Sequence, residues 1–344
     1  MMKSFRLSFF VTIVCLAFAG YWGARNGMGV PSALLIVSIL GVLEVSLSFD
    51  NAVVNASVLK EMDEKWQQIF LTIGILIAVF GMRLFFPVAI VSIATGLGIL
   101  DVAVMALERP AEYSRHLGDS HAGISAFGGI FLLLVFLAFL FNKSKKLHWL
   151  GKIEEKFSQL GKMDSIGVML ALLVLFAIYL WMPIDAATKL TVLISGIGGV
   201  ILFIAVSSID SLFESEEDGD AAVRAARRNG AAGFLYLEIL DASFSFDGVL
   251  GAFAITRDVV VIMLGLAIGA MFVRSLTVYL VRKGTLDEYV FLEHGAHYAI
   301  GSLAVIMLAG IVMHIPEVVT GLIGVAFIAL ALVSSVRYKR GNAA

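Results

Sequence analysis

Apolar positions along this chain gather into segments of close to twenty residues with few or no charges, separated by short polar stretches. Reading these runs against the charged and turn-forming residues predicts helices near 5–23, 31–58, 67–106, 122–142, 165–182, 189–209, 230–255, 259–281, 296–314 and 317–336. A hydrocarbon core ~30 Å thick needs roughly twenty apolar helical residues to cross it. The expected fold class is therefore an all-α integral membrane protein of about ten transmembrane helices. The third run is too long for one straight crossing. Pro87 and Gly96 predict a kinked or broken helix there, with two separate crossings as the alternative.

Composition agrees. Apolar residues make up 60% of the chain and charged residues 15%, with a mean hydropathy of +0.95. A soluble domain sits nearer 45–50% apolar and about 25% charged. The one cysteine, Cys15, rules out a disulfide framework within the chain and any thiolate cluster. At the N-terminus Lys3 and Arg6 precede the apolar run Leu7 to Ala19, short enough for a signal-peptide core. The segment Gly20-Tyr21-Trp22-Gly23 is only a fair cleavage site, so a retained first helix is the expectation and a cleaved signal the alternative.

Loop charge sets the orientation. Lys143, Lys145, Lys146, Lys152, Lys156 and Lys162 share one loop; Arg224, Arg227 and Arg228 lie in a second; Arg282 and Lys283 in a third; Arg337, Lys339 and Arg340 close the chain. With ten crossings all four clusters, and Lys3 with Arg6, fall on the cytoplasmic side, as the positive-inside rule expects; with eleven they split. The expected location is the cytoplasmic (inner) cell membrane, spanned several times. The acidic run Glu214, Glu216, Glu217, Asp218, Asp220 reads as a solvated loop, or as a collector of cations at a pore mouth.

Two stretches repeat without a gap. Leu43-Glu44-Val45-Ser46-Leu47-Ser48-Phe49-Asp50-Asn51 matches Leu240-Asp241-Ala242-Ser243-Phe244-Ser245-Phe246-Asp247-Gly248. Downstream, Gly74 and Arg83 are spaced as Gly265 and Arg274 are, and His121, Ala126 and Gly128 match His294, Ala299 and Gly301 more weakly. The motif helices are predicted five crossings apart and so run in opposite directions. The chain is thus expected to be one transmembrane domain of two inverted repeats, 1–182 and 183–344, with the substrate site near the midplane where they meet.

The motifs carry Glu44, Asp50, Glu238, Asp241 and Asp247 inside predicted spans. Ionised and unpaired, five acids at mid-membrane cost roughly 12–18 kcal/mol. They must be protonated, paired, hydrated or bound to a cation. Glu44, Ser48, Asn51 and Asn55 recur at helical spacing as one polar stripe, with Asp50 on another face; Glu238, Asp241 and Ser245 form the corresponding stripe of the partner helix. A local break near Ser48 and Asp50 would let both acids of that helix converge on one ion. Carboxylate, amide and carbonyl oxygens suit Mn²⁺, Mg²⁺ or Ca²⁺ and not a soft ion. The candidate metal-binding set is Glu44, Asp50, Asn51, Glu238, Asp241 and Asp247, with Ser48, Ser245, Arg83 and Arg274 in support. The competing structural account has Arg83 and Arg274 neutralise two of the acids in a buried ion-pair network, which leaves three. Burial and like charge then favour protons on the acids when no metal is bound, and metal binding expels them. His294 and His297, beside Glu293, read either as an accessory metal site or as ordinary amphipathic interface residues. Gly196-Ile197-Gly198-Gly199 reads as helix-packing material, since no strand precedes it as a phosphate loop would need.

At these positions the sequence resembles the TerC family of integral membrane proteins. The first motif is similar to that family's Glu-x-x-x-Ser-x-Asp-Asn signature at Glu44, Ser48, Asp50 and Asn51. The second is similar to its Glu-x-x-Asp-x-x-Phe-x-x-Asp signature at Glu238, Asp241, Phe244 and Asp247, followed by Ala252-Phe253-Ala254-Ile255-Thr256 and Asp258, with Arg274 matching an arginine of the next helix. Gly248 departs from the serine often found there. The resemblance implies efflux of divalent metal, manganese above all, and an association with tellurium (tellurite) resistance. The expected function is a secondary transporter exporting Mn²⁺ or a similar cation by proton antiport, the metal being its substrate, with no resident cofactor, no enzymatic activity and no nucleic-acid partner. The alternatives are a membrane metal-sensing or scaffold protein that binds the ion without moving it and, less favoured, an intramembrane aspartyl protease. Phe49-Asp50 and Phe246-Asp247 do not supply the Tyr-Asp and Gly-x-Gly-Asp pairs of that protease class.

Overall fold

A computed structural model describes residues 2–60, 62–143, 145, 147–161, 165–212, 230–313 and 315–342. Every regular element among them is helical: α1 (Met2–Arg25), α2 (Val30–Leu47), α3 (Phe49–Leu59), α4 (Glu64–Leu76), a π-helix (Ile77–Phe85), α5 (Phe86–Thr95), α6 (Ile99–Glu108), α7 (Pro110–Asp119), α8 (His121–Leu140), α9 (Lys152–Leu160), α10 (Ile166–Trp181), α11 (Ala186–Leu212), α12 (Ala231–Ile255), α13 (Val259–Arg282), the single turn α14 (Thr285–Glu288), α15 (Leu292–Gly310) and α16 (Glu317–Asn342). Among the described residues six stretches are long and apolar enough to cross a bilayer: Phe5–Arg25, Val30–Leu47, His121–Leu140, Ala186–Ser208, Val259–Arg282 and Val319–Arg340. A bent pair, Glu64–Gly74 with Ile77–Ile93, makes a seventh if counted as one span. The chain is thus an all-helical membrane protein. The acidic run from Glu214 and the Arg224–Arg228 cluster lie outside the described residues.

The long third run is divided at one of its two predicted breakers and again at a place neither marks. Gly96 adopts φ 73° and ends α5, a left-handed cap that glycine reaches without strain. Pro87 instead sits in the first turn of α5, where a missing N–H is tolerated. The 43° bend falls earlier, at the entry to the π-helix. The motif run 31–58 also divides: Ser48, at φ −102° and ψ 18°, separates α2 from α3. Helices α7 and α9 lie in segments for which the hydrophobic pattern predicts no span. Both are short and amphipathic, and a search for twenty-residue apolar runs passes over them.

The chain separates into two compact units, each drawn from two separate stretches of the sequence. The first comprises Met1–Ser120 and Asp220–Thr285. In it α2 and α13 cross through a seam of small residues. A Cβ built on Gly41 would lie 3.1 Å from Ile268, and side chains at Gly265 and Gly269 would overlap Leu40 and Glu44. Such seams let backbones approach where lipid supplies no hydrophobic drive. Helix α1 docks on the same pair: Ser8 Oγ donates to the Met271 carbonyl at 2.8 Å, and Phe9 meets Phe272 edge-on at 5.4 Å. Asp258 starts α13 by accepting from Val260 and Val261 N–H groups, and its other oxygen takes the Trp22 indole N–H at 2.9 Å. Leu59, Met62, Phe70 and Leu237 form a small core around α3, α4 and α12.

The second unit comprises His121–Gly219 and Leu286–Ala344. Its centre is α8, packed against α11 and α15, with Ala126, Ile130, Leu134, Leu175, Val192 and Leu308 in its core. The glycine-rich segment of α11 is packing material, as expected. A Cβ on Gly199 would come within 2.5 Å of the Phe127 carbonyl, and one on Gly196 within 2.5 Å of Leu175.

Candidate functional site

The first unit gathers the motif residues. The stripe Glu44, Ser48, Asn51 and Asn55 is buried along its whole length, although the helix breaks in the middle of it. The break keeps the chain close to helical: Ser48 N–H still bonds to the Glu44 carbonyl at 3.0 Å, and Ala52 N–H to the Ser48 carbonyl at 3.1 Å. Ser48 Oγ donates to Glu44 Oε1 at 3.2 Å. On the partner helix Glu238 and Asp241 are buried as well, and Asn51 Nδ2 donates to Asp241 Oδ1 at 2.9 Å. That bond joins the two motifs. The partner helix α12 runs unbroken from Ala231 to Ile255, so only the first motif shows the expected interruption. The side chains of Asp50, Asp247 and Ser245 lie outside those described; their backbones are helical.

Two arginines meet these acids in different ways. Arg83 projects from the π-helix, an i→i+5 form that widens the helix and recurs at functional sites. Its Nη1 donates to the Ala78 carbonyl on the same element at 2.6 Å. Its Nη2 is paired with Glu44, and Nη1 lies 3.9 Å from Asp241 Oδ2. One guanidinium is therefore shared by a carboxylate from each motif, with side chains 2–6% exposed. Arg274, on α13, donates through Nη2 to the Gly74 carbonyl at 2.7 Å and to Glu238 Oε1 at 3.1 Å. Its guanidinium carbon lies 3.6 Å from the centre of the Phe70 ring, a cation–π contact in a dry setting. Gly74 has to be glycine for this: a Cβ there would come within 2.6 Å of Glu238 Oε1. Likewise a Cβ on Gly248 would lie 2.7 Å from Glu44 Oε2. The sequence paired Gly74 with Gly265 by position alone; their packing roles differ.

Some buried atoms in this cluster have no hydrogen-bond partner among the described residues: Oε2 of Glu238, Oδ1 of Asn55, Nε of Arg83 and Nη1 of Arg274. Orphaned buried polar atoms are uncommon and call for a reason. Two of them are oxygens of the kind that bind a hard cation. No group of three or more His, Cys, Asp or Glu side chains among the described residues is placed to hold a metal ion.

The histidine pair does not converge. His297 stacks on Phe139 at 4.0 Å with its Nδ1 against the Glu293 carbonyl at 2.9 Å. His294 turns the other way: its Nε2 meets the Leu147 carbonyl at 3.0 Å and lies 3.5 Å from Glu154 Oε1. Sequence reasoning missed this second buried polar group. Glu154 is fully buried, takes a hydrogen bond from Lys145 Nζ at 2.6 Å and another from Leu150 N–H at 3.2 Å. Burial alone pushes its carboxyl up, but the two hydrogen bonds and the Lys145 charge outweigh burial and hold it below the usual range. Its signal in the sequence is slight, a glutamate nine residues after a lysine in a lysine-rich loop.

A family model described as a protein of unknown function, DUF475, matches residues 49–342. The match starts within the first motif and runs through the second motif and both arginines. No curated protein and no solved structure matches the chain.

Proposed function

The chain belongs to the DUF475 family, and on that premise we propose that it is a secondary transporter exporting Mn²⁺ or a similar divalent cation by antiport against protons. The observation that carries this reading is that Glu44 and Asp241, one acid from each motif, share a single buried cationic group, the Arg83 guanidinium. Two carboxylates that already hold one cation in common have the charge and oxygen chemistry to hold another. In this reading Arg83 is the counter-ion of the empty site and withdraws along the π-helix when metal enters. Asn51 and Glu238 supply neighbouring oxygens, and Asp50 and Asp247, on the same two helices, complete the set. Ser48 and Ser245 support it. Arg274 is a fixed element. The resemblance of both motifs to the TerC family supports the choice of manganese. An arrangement of ten crossings in two inverted repeats, in the cytoplasmic membrane, belongs to the same proposal.

One observation favours a second reading. Both arginines are already engaged with acids, as a static ion-pair network requires, so the site could bind an ion as a sensor or scaffold without moving it. Uptake separates the two. Inverted membrane vesicles containing the protein should accumulate Mn²⁺ faster than empty ones, with protons moving the opposite way. The variants Asp50→Asn and Asp247→Asn should abolish uptake at equal membrane insertion, since the amide keeps shape and removes charge. Mn²⁺ accumulation no faster than in empty vesicles would sink the transporter.

A further inference from the structure

Helix α9 lies between the end of a long apolar helix, α8 at Leu140, and the start of a shorter apolar one, α10 at Ile166. Its faces are the reverse of those of a helix on a soluble protein, which turns its apolar side inward. Here the inward face is polar: Glu154 and Ser158, one turn apart, are buried. Glu154 is tied to Lys145, to the Leu150 N–H and towards His294. At the helix end Gly161 packs so closely on the Phe141 carbonyl that no side chain fits there. One exposed flank is apolar. Leu150, Ile153, Phe157 and Leu160 recur at i, i+3, i+7 and i+10, with Ile153 62% and Leu160 48% exposed. Lys152 and Lys156 flank this stripe on its open side and are exposed. The inner face holds the helix fixed, so the apolar stripe cannot roll inward to hide.

We propose that α9 is an interfacial helix that binds anionic phospholipid headgroups. Its apolar stripe enters the headgroup–acyl boundary, and the lysines beside it snorkel to the phosphates. Charge selects this occupant. The loop from Asn142 to Asp164 carries six lysines against Glu154, Glu155 and Asp164, and Glu154 is already satisfied within the protein. A basic, apolar-faced helix beside membrane-spanning segments meets the conditions for attraction to an anionic leaflet. None of this depends on the cation site, so the proposal stands or falls apart from the transport reading.

The test uses the full chain in lipid nanodiscs, in a Cys15→Ser background, with a nitroxide on Phe157→Cys or, on another face of α9, on Gln159→Cys. The ratio of oxygen to nickel-chelate accessibility should be several-fold higher at 157 than at 159. It should rise further when phosphatidylglycerol is included in the phosphatidylcholine disc, and that rise should vanish in Lys152→Gln/Lys156→Gln. Equal aqueous access at both positions overturns the proposal. So does protection of 157 from both reagents, the mark of a protein partner or a second copy covering the stripe. Immersion indifferent to phosphatidylglycerol overturns the recognition of anionic lipid.

Discussion

Replacing Arg83 by glutamine removes the one charge that Glu44 and Asp241 share, and its consequence can be sized. The Arg83–Asp241 separation is 3.9 Å. At that distance two unit charges attract by about 4 kcal/mol at an effective dielectric of about 20. The closer pairing with Glu44 adds to this, while the cost of removing the charges from water takes much of it back. The measurable quantity is the cost of breaking the network while leaving carboxylates buried, about 3–5 kcal/mol for a pair of this kind. The assay is reversible unfolding of the purified protein in detergent, followed for wild type, Arg83→Gln, Glu44→Gln and the double variant. Arg83→Gln should lose about 3–5 kcal/mol, and the double variant should regain a large part because one orphaned carboxylate is gone. A loss under about 1 kcal/mol, or a double variant no more stable than Arg83→Gln alone, would refute a buried shared counter-ion.

Three further expectations rest on single positions. Gly248→Ala should cost about 1–3 kcal/mol by overpacking, because its Cβ meets a Glu44 carboxylate that Arg83 and Ser48 hold in place. Gly118→Ala, where a Cβ meets nothing within 4 Å, should be neutral or stabilising in the same unfolding assay. The carboxyl of Glu154 is held below its usual range, so the stability it lends is present above the unfolded value near 4.3 and is lost as pH falls through the lower folded one. Amide exchange at Leu150, corrected for intrinsic rate, should stay slow down to about pH 5 and accelerate only below about pH 4. Glu154→Gln should remove that dependence, and acceleration already between pH 7 and 5 would contradict it.

The features legible in the sequence are those that local composition dictates. Apolar runs gave the helices, and the stripe Glu44, Ser48, Asn51, Asn55 gave a face that is indeed buried. The break in the first motif helix could be anticipated because five polar residues in nine leave little reason for a straight apolar span. What escaped depends on distant chain segments. Pro87 reads as a kink, yet the π-helix just before it takes up the bend, and a π-helix has no marker in a single sequence. Nothing in the sequence sets Phe70 apart, yet it serves as the ring beneath Arg274. Helix α9 escaped because its amphipathic pattern is only nine residues long and is inverted with respect to the protein. His294 and His297 looked like a pair because they are three residues apart. Their rings separate because Phe139 offers one a stacking face, whereas the Leu147 carbonyl and Glu154 offer the other a polar one.

The sequence repeat equates Glu44 with Asp241 and Arg83 with Arg274, and a symmetric structure would pair each acid with the arginine of its own half. The observed pairing is unequal. Arg83 takes both Glu44 and Asp241, and Arg274 goes to Glu238, an acid with no counterpart in the first motif. Counting formal charges, the Glu238–Arg274 pair is neutral, while Glu44, Asp241 and Arg83 together leave one negative charge in excess. The neutral pair is also the more constrained, since Arg274 is fixed by a backbone carbonyl and an aromatic ring as well as by its acid. Apart from the two carboxylates, the hydrogen bond that fixes Arg83 is donated to a carbonyl of its own π-helix and moves with it. The uncompensated charge and the less tethered arginine thus coincide. On the transport reading proposed above, an added cation would be drawn to the Arg83 side of the cluster, and a change of register in the π-helix would make room for it. Asymmetry between the repeats, more than the repeat itself, marks where an ion would bind.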